Sequence, residues 1–350
     1  MRVLVTGNMG YVGSALNTIL LKYYPDIEII GYDTSFFGHA IQGASVIPEH
    51  GMVKQYFGDV REFDSSLLEG VDSVIHLAAI SNDPMGNEFS EVTSEINYLE
   101  SVRLAEMAAA CGVKNFVFAS SCSVYGQSDG TPKKETDTLN PLTAYAKSKI
   151  DTEKAIQKIN LQNMVFTSLR FATACGWSNR MRLDLVLNDF VACAISSGKI
   201  SVLSDGTPWR PLIDVEDMAR AIVWAIKRPA YNGGQYVAVN TGSQSGNYQV
   251  KEIAQAVVSQ LPETVVSINK DAPPDTRSYS VDFELFNTLA PEFVPKINLE
   301  QSIDNIYKGL VNISFSDNNF RLSPFMRLIS LRSHIEYGRL NDKLKWQVQK

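Results

Sequence analysis

The sequence predicts an α/β fold: a doubly wound parallel sheet with a smaller mixed α/β lobe interleaved along the chain. Three observations predict it. Short apolar runs alternate with helix-period segments through the first half, the pattern of strand-helix-strand units and a parallel sheet. The first run passes through three glycines, Gly7, Gly10 and Gly13, directly into a helical pattern. After Gly176 the alternation becomes less regular, as expected where a second lobe inserts.

Taken in order, residues 2–5 read as a short buried strand, and Thr6-Gly7-Asn8-Met9-Gly10-Tyr11-Val12-Gly13 follows as the turn into a helix. The glycines permit a tight turn and close backbone approach, and the helix aims its free N–H groups at a pyrophosphate. A second apolar run, 27–32, ends at Asp33, about 20 residues after Gly13, where a carboxylate can hold an adenosine ribose hydroxyl. That carboxylate repels a 2′-phosphate, and no arginine or lysine follows it in 34–37, so charge favours NAD over NADP. Further strands are expected at 53–58, 73–77, 116–119 and 165–171, with helices at 92–110 and 143–159. Beyond them come a helix at 183–197, a strand at 199–203, a helix at 215–227, and a strand at 236–240 that returns to the main sheet. Segments 250–261, 265–269 and 299–311 build the smaller lobe, with Pro-rich 271–274 as a connecting loop. Residues 1–175, rejoined by 207–242, thus form the dinucleotide domain, 176–206 and 243–315 the substrate lobe, and 316–350 a helical appendage. That appendage spaces Phe325, Leu328, Leu331, Ile335 and Leu340 among basic residues, so it should pack on the body or on a partner subunit.

At 350 residues and 45% hydrophobic content the chain can bury a large core. A net charge of −6 argues against nucleic acid as a partner, and an anionic ligand would have to meet locally placed arginines. The four cysteines have neither metal-ligand spacing nor the look of a disulfide framework, so no metal site is expected and a reducing compartment fits. No leader pattern and no run of 18 apolar residues is seen, so the expectation is a cytoplasmic protein without a membrane span.

Chemistry concentrates in two segments. Tyr145 and Lys149 lie four apart in a helix-period stretch and share one face. An ammonium close by would lower the phenol pKa toward working pH, so that the tyrosinate could take a proton from a substrate hydroxyl, while the ammonium holds cofactor ribose. The strand 116–119 runs into Ser120-Ser121-Cys122-Ser123-Val124-Tyr125-Gly126, which places hydroxyls at the carboxyl end of a parallel sheet, where ligands bind.

With these residues the chain resembles the extended short-chain dehydrogenase/reductases, in the branch of nucleotide-sugar epimerases, dehydratases and ketoreductases. The likeness spans nearly the whole chain: Thr6 to Gly13, Asp33, Gly58-Asp59-Val60, His76-Leu77-Ala78-Ala79, Asn97, the Ser-Ser-x-x-x-Tyr-Gly segment, Tyr145 with Lys149, and Leu169-Arg170-Phe171. It implies a Rossmann-type sheet in which the Gly7–Gly13 loop, Met9, Tyr11 and Val12 included, meets NAD. It implies that Asp59 and Val60 contact adenine, that Leu77, Ala78 and Ala79 line the nicotinamide side, and that Asn97 supports the wall. Ser121 falls at the catalytic Ser/Thr position, Tyr145 at the base and Lys149 at the ribose-binding lysine. Asn188, Arg210 and Arg277 match groups that meet the nucleotide diphosphate and sugar, and two arginine forks suit a diphosphate. Ser81 and Ser123 are expected near the sugar ring, and Thr173 stands where many epimerases carry asparagine. Relatives of this kind pair through the helices near 92–110 and 143–159, so a homodimer is expected.

The likeness also separates branches. Dehydratases keep an Asp-Glu pair after the catalytic Ser/Thr, and here those positions are Cys122 and Ser123. C3/C5 epimerases use a cysteine two residues before the Tyr of Tyr-Gly, whereas Cys122 lies three before Tyr125 and is expected to pack as a small apolar group. What remains is an NAD-dependent nucleotide-sugar epimerase acting at C4. The alternative is a C4 dehydrogenase or ketoreductase of heptose or deoxysugar biosynthesis, a subgroup that the 179–185 stretch resembles. A catalytically silent NAD-binding scaffold is the third reading, and the retained Ser121, Tyr145 and Lys149 argue against it.

Overall fold

A computed structural model describes residues 1–347 except 53, 129, 270 and 273–276; the expected strand start at 53 and residues 273 and 274 of the loop at 271–274 lie outside the described residues. The chain runs β1 (Arg2–Thr6), α1 (Tyr11–Tyr23), β2 (Glu28–Asp33), β3 (Lys54–Phe57), β4 (Ser73–His76), α2 (Asp83–Glu88), α3 (Ser90–Ser94), α4 (Glu100–Ala110), β5 (Asn115–Ser121), α5 (Ala144–Ile156) and β6 (Val165–Phe171). It continues through β7 (Thr173–Cys175), α6 (Val186–Ser197), β8 (Lys199–Val202), β9 (Trp209–Asp214), α7 (Val215–Ala225), β10 (Tyr236–Thr241), β11 (Asn247–Gln249), α8 (Val250–Gln260), β12 (Val265–Ile268), α9 (Glu284–Leu289), α10 (Leu299–Asn312) and α11 (Arg327–Glu336).

Seven strands form one parallel sheet in the order β10-β6-β5-β4-β1-β2-β3. The winding reverses between β1 and β4, which opens a crevice at the carboxyl ends of the strands. Strand alternation sends side chains to two cores: Val3, Val5, Ile75 and Val117 pack under α1 and α7, while Leu4, Val74, Phe116 and Phe118 pack under α4. Phe116 and Phe166 stack with ring centroids 5.1 Å apart on that second face. A third core gathers α6, α8 and α10 around a two-stranded sheet, β12-β8, and a three-stranded sheet, β11-β9-β7.

The structure redraws several expected boundaries. The helix expected at 92–110 starts at Ser90 and is broken by a π-helical turn, Glu95–Leu99, and the helix expected from 183 starts at Val186. Within 207–242, α7 and β10 join the large domain, but β9 pairs with β7 and β11 in the small sheet. Conversely, Phe283, Phe286 and Ala290, expected in the small lobe, belong to the core shared with α7 and β10. The terminal stretch carries one ten-residue helix rather than a continuous one, and its apolar Leu331, Leu340 and Leu344 are buried in the core under α4. Three of its cations are paired on the body: Arg321 with Asp189, Arg332 with Glu88 and Lys345 with Glu62. Among the described residues no helix is long and apolar enough to cross a membrane.

Candidate active site

A cavity of ≈ 720 Å³ fills the crevice and runs from the glycine turn to the smaller lobe. At its floor, Gly7 adopts φ +73°, and a Cβ there would lie 2.6 Å from the Ala78 backbone nitrogen; one at Gly13 would lie 2.4 Å from the Asn8 carbonyl oxygen. The turn therefore demands glycine for backbone shape and for close approach to the β4 end. α1 begins at Gly10 with no side-chain cap and no acidic residue in its first turn, leaving free N–H groups for an anion. Asp33 at the end of β2 accepts from the Met9 amide at 2.9 Å and the Ser35 amide at 2.7 Å. Burial raises its pKa and those two hydrogen bonds oppose the rise, and each oxygen keeps a lone pair for a ribose hydroxyl. This cradle fits a dinucleotide with a free 2′-hydroxyl. Replacing Gly7 by Ala is expected to force the turn off Ala78 and to weaken NAD binding by at least ~10-fold, as read by calorimetry.

Along the walls, Val60, Asp59, Leu77, Ala78 and Ala79 line the cavity, as do Met9, Tyr11 and Val12. The Asp59 carboxylate is gripped by Arg61 at 2.6 Å. Tyr11 reaches past the floor to donate to the Gly176 carbonyl at 2.7 Å. Two asparagines of the expected set lie behind the cavity lining. Asn97, on the π-helical turn, accepts from the Ile80 amide at 2.8 Å and donates to the Ile80 carbonyl at 2.9 Å, so it braces the wall from behind instead of touching a ligand. Asn188 is wholly buried, accepts from the Gly176 amide and donates to the Arg182 carbonyl and the Tyr11 hydroxyl, and does not line the cavity. Both amides are saturated by backbone groups from distant elements, which a one-dimensional motif does not reveal.

At the far end, β5 delivers Ser121 in register with Phe171, and α5, capped by Thr143, presents Tyr145 and Lys149. Ser121 hydrogen-bonds the Tyr145 phenol. Lys149 Nζ sits 5.6 Å from the Tyr145 ring centroid and 4.6 Å from that of Phe118. The electrostatics correct the expectation of a simple ammonium-lowered phenol. Burial and the Asp83 charge push the Tyr145 pKa up to about 12, while Ser121 and Arg182 pull the other way. Burial pushes Lys149 down to about 7, with Glu153 opposing. A lysine whose folded pKa lies below its unfolded value binds fewer protons folded than unfolded between those values, so stability rises with pH across that window. The nucleotide-free protein should accordingly melt higher at pH 9 than at pH 7, and Lys149→Met should flatten that rise in thermal scans.

Ser81, Ser123, Thr173, Arg210 and Arg277 all line this end. The buried Ser123 hydroxyl meets no hydrogen-bond partner among the described residues. Thr173 hydrogen-bonds Tyr279, and Arg277 lies 3.4 Å from Asp83. Cys122 points away, donating to the Arg170 carbonyl at 3.0 Å, and burial drives its thiol pKa far up, so it packs as expected. The sequence reading missed a brace across the mouth. Arg182 pairs with Asp184 and donates to Ser81, and Asp184 accepts from Asn82 at 2.7 Å. Burial would raise Asp184, but the Arg182 charge and hydrogen bonds outweigh it and hold the carboxyl below its ordinary range. The Arg-x-Asp spacing at 182–184 was the available signal.

A model of the NAD dependent epimerase/dehydratase family matches residues 3–242. The chain belongs to that family. An uncharacterised UDP-glucose epimerase of Bacillus subtilis is 30% identical over 65% of this chain and 73% of its own length. The UDP-glucose 4-epimerase of Corynebacterium glutamicum is 28% identical over 73% of this chain and 79% of its own. Among solved structures, a UDP-glucose-4-epimerase of Stenotrophomonas maltophila with bound NAD and formylated UDP-arabinopyranose superposes with a TM-score of 0.76 at 22% identity, covering 90% of this chain and 99% of that one. An NDP-hexosamine 5,6-dehydratase superposes at 0.72 and 24% identity over 89% and 97% of the two chains. These likenesses show the shared fold, and the family's cofactor, NAD, matches the cradle described above.

Proposed function

We propose that this NAD-dependent enzyme inverts C4 of a nucleotide-diphosphate sugar, with Tyr145 as general base, Ser121 as its hydrogen-bonding partner on the substrate hydroxyl, and Lys149 as the ribose-holding cation. The observation that carries this reading is the lack, among the described residues, of a second acid/base pair at the catalytic end. Positions 122 and 123 hold a turned-away thiol and a hydroxyl, Asp184 is locked to Arg182, and Asp83 accepts from Thr143 at 2.7 Å and faces Arg277. Elimination needs such a pair; hydride chemistry does not. When bound, NAD supplies the hydride acceptor for C4 oxidation and, reduced, the donor that returns the hydride to the opposite face of the sugar.

Within the protein, Tyr145 takes the C4 hydroxyl proton and later gives it back, while Ser121 keeps that oxygen in line. Arg210 and Arg277 meet the diphosphate, and Thr173, Ser81 and Ser123 present hydroxyls to the sugar. The domain division follows: 1–175 with α7 and β10 bears the cofactor, and the lobe around β8 and α6 closes on the sugar. A homodimer through α5 and the 95–110 helical stretch completes the reading; these helices lie side by side, with Leu99 54% exposed. Sedimentation at micromolar concentration checks it, and a monomer there removes it.

The 4-keto oxidoreductase reading shares the first half of this chemistry. Incubation with UDP-, GDP-, CDP- and dTDP-sugars followed by NMR distinguishes the outcomes. C4 inversion supports the proposal, a released 4-keto product replaces it with the oxidoreductase, and loss of the C6 oxygen refutes both.

A further inference from the structure

The terminal stretch, which the chemistry above does not use, packs on the loops that flank Asp33 and Asp59, and its Arg321, Met326 and Arg327 line the cavity. Arg61, which grips Asp59, also donates to the carbonyls of Lys343 at 2.8 Å and Leu344 at 3.2 Å. Trp346 Nε1 donates to the Thr34 carbonyl at 2.7 Å, next to Asp33, and its ring sits 5.8 Å from that of Phe36. His334 contacts the Phe36 carbonyl at 3.0 Å. The loops after β2 and β3, which flank the ribose-holding carboxylate, are thus tied to the last turn of chain.

One buried side chain of this stretch has no carboxylate partner among the described residues. Arg327, at the start of α11, is 1% exposed, lines the cavity, and stacks its guanidinium 4.5 Å from the Phe37 ring centroid. Its Nη2 donates to the Arg180 carbonyl at 2.8 Å, but its buried Nη1 meets no partner among the described residues. The neighbouring cations each hold a carboxylate: Arg61 holds Asp59, Arg180 holds Glu49, though its own Nε has no hydrogen-bond partner among the described residues, and Arg182 holds Asp184. Burial together with the Arg182 charge depresses Arg327 to about 9, and Asp184 and Asp33 offset this only in part. A buried guanidinium with an idle N–H, placed in the fields of Asp33 at one end and Asp184 at the other, is a site that wants an anion between the ribose and the catalytic end.

We propose that residues 320–347 form a fixed cover over the dinucleotide and that Arg327 is the counter-ion to its diphosphate. The cover rests on NAD being the bound nucleotide, as above. It implies that the nucleotide is held through the catalytic cycle and that the cation opposite the phosphates comes from the far end of the chain, while the α1 N-terminus contributes the facing N–H groups.

The test measures affinities of NAD, ADP-ribose and adenosine by calorimetry for nucleotide-stripped wild type, Arg327→Met, Arg327→Lys and Trp346→Ala, alongside the NAD content of each as purified. Arg327→Met should weaken NAD and ADP-ribose by ~10- to 100-fold, the loss of a charge-assisted contact, and leave adenosine within ~2-fold. Arg327→Lys, which keeps the charge in the same packed site, should recover the larger part. Trp346→Ala should weaken all three ligands and speed NAD release. Unchanged NAD affinity in Arg327→Met, a parallel loss of adenosine, or a defect confined to the KM of the nucleotide sugar would each overturn the proposal. Failure of the wild type itself to bind any of the three would instead remove the function proposed above.

Discussion

Tyr145→Phe is expected to lower kcat by about 10³-fold, within the usual range for removing a general base, while NAD content and the KM for the nucleotide sugar change little. The reason lies in the geometry. Phe keeps the ring beside Lys149 and the Cβ and backbone that lie against Gly86, so the α5 face and the cofactor wall stay in place. What is lost is the phenol oxygen bonded to Ser121, the one atom proposed to carry the C4 hydroxyl proton. Because burial and Asp83 hold that phenol near 12 in the nucleotide-free protein, its ionisation depends on positive charge brought close to it. The acid limb of the kcat profile of the parent should therefore belong to this phenol and vanish in the variant. Equal turnover of the two proteins on the same sugar would end the proposed role of Tyr145, whatever the product.

Much of this site was legible because its signals are local. A glycine triplet behind a strand, a carboxylate at the end of the next strand, and Tyr145 with Lys149 on adjacent turns of one helix are short-range patterns whose geometry follows from the period of the element that carries them. The seven-stranded sheet was legible for the same reason, since apolar alternation reports two buried faces. What stayed hidden depends on distant partners. Whether an asparagine meets a ligand or a backbone amide depended, for Asn97 and Asn188, on Ile80 and Gly176, which only the fold brings near. The tail was legible as an appendage packed on the body or on a partner subunit, but not the inward turn of Arg327 onto Phe37 and Arg180, more than a hundred residues away in sequence. The sign of the Tyr145 shift was hidden too, because burial and Asp83 outweigh everything readable from the Tyr-x-x-x-Lys spacing.

Glu153→Ala is expected to cost about 3–5 kcal/mol of stability, the range for stranding the partner of a buried ion pair. Glu153 and Arg170 are paired at 2.6 Å with both side chains almost wholly enclosed, and the same carboxylate accepts from Ser120 and Ser168, each at 2.7 Å. Among the described residues, truncation leaves the guanidinium only the Tyr125 hydroxyl, at 3.1 Å, as a hydrogen-bond partner, and it orphans two serine hydroxyls on β5 and β6. The effect should appear as an earlier urea midpoint with an unchanged slope, since the surface exposed on unfolding is the same. If the pair matters as a pair, Glu153→Leu with Arg170→Met should recover most of the loss, because desolvation of both charges is then avoided together. Activity should not recover with it. Glu153 lies one turn beyond Lys149 on α5 and supports its protonated form against burial. The double variant should thus fold nearly as well as its parent while its Lys149 titrates below about 7, separating the structural role of the pair from its electrostatic role in a single measurement of stability and pH profile. A double variant with the parent's pH profile would show that Glu153 serves the scaffold alone.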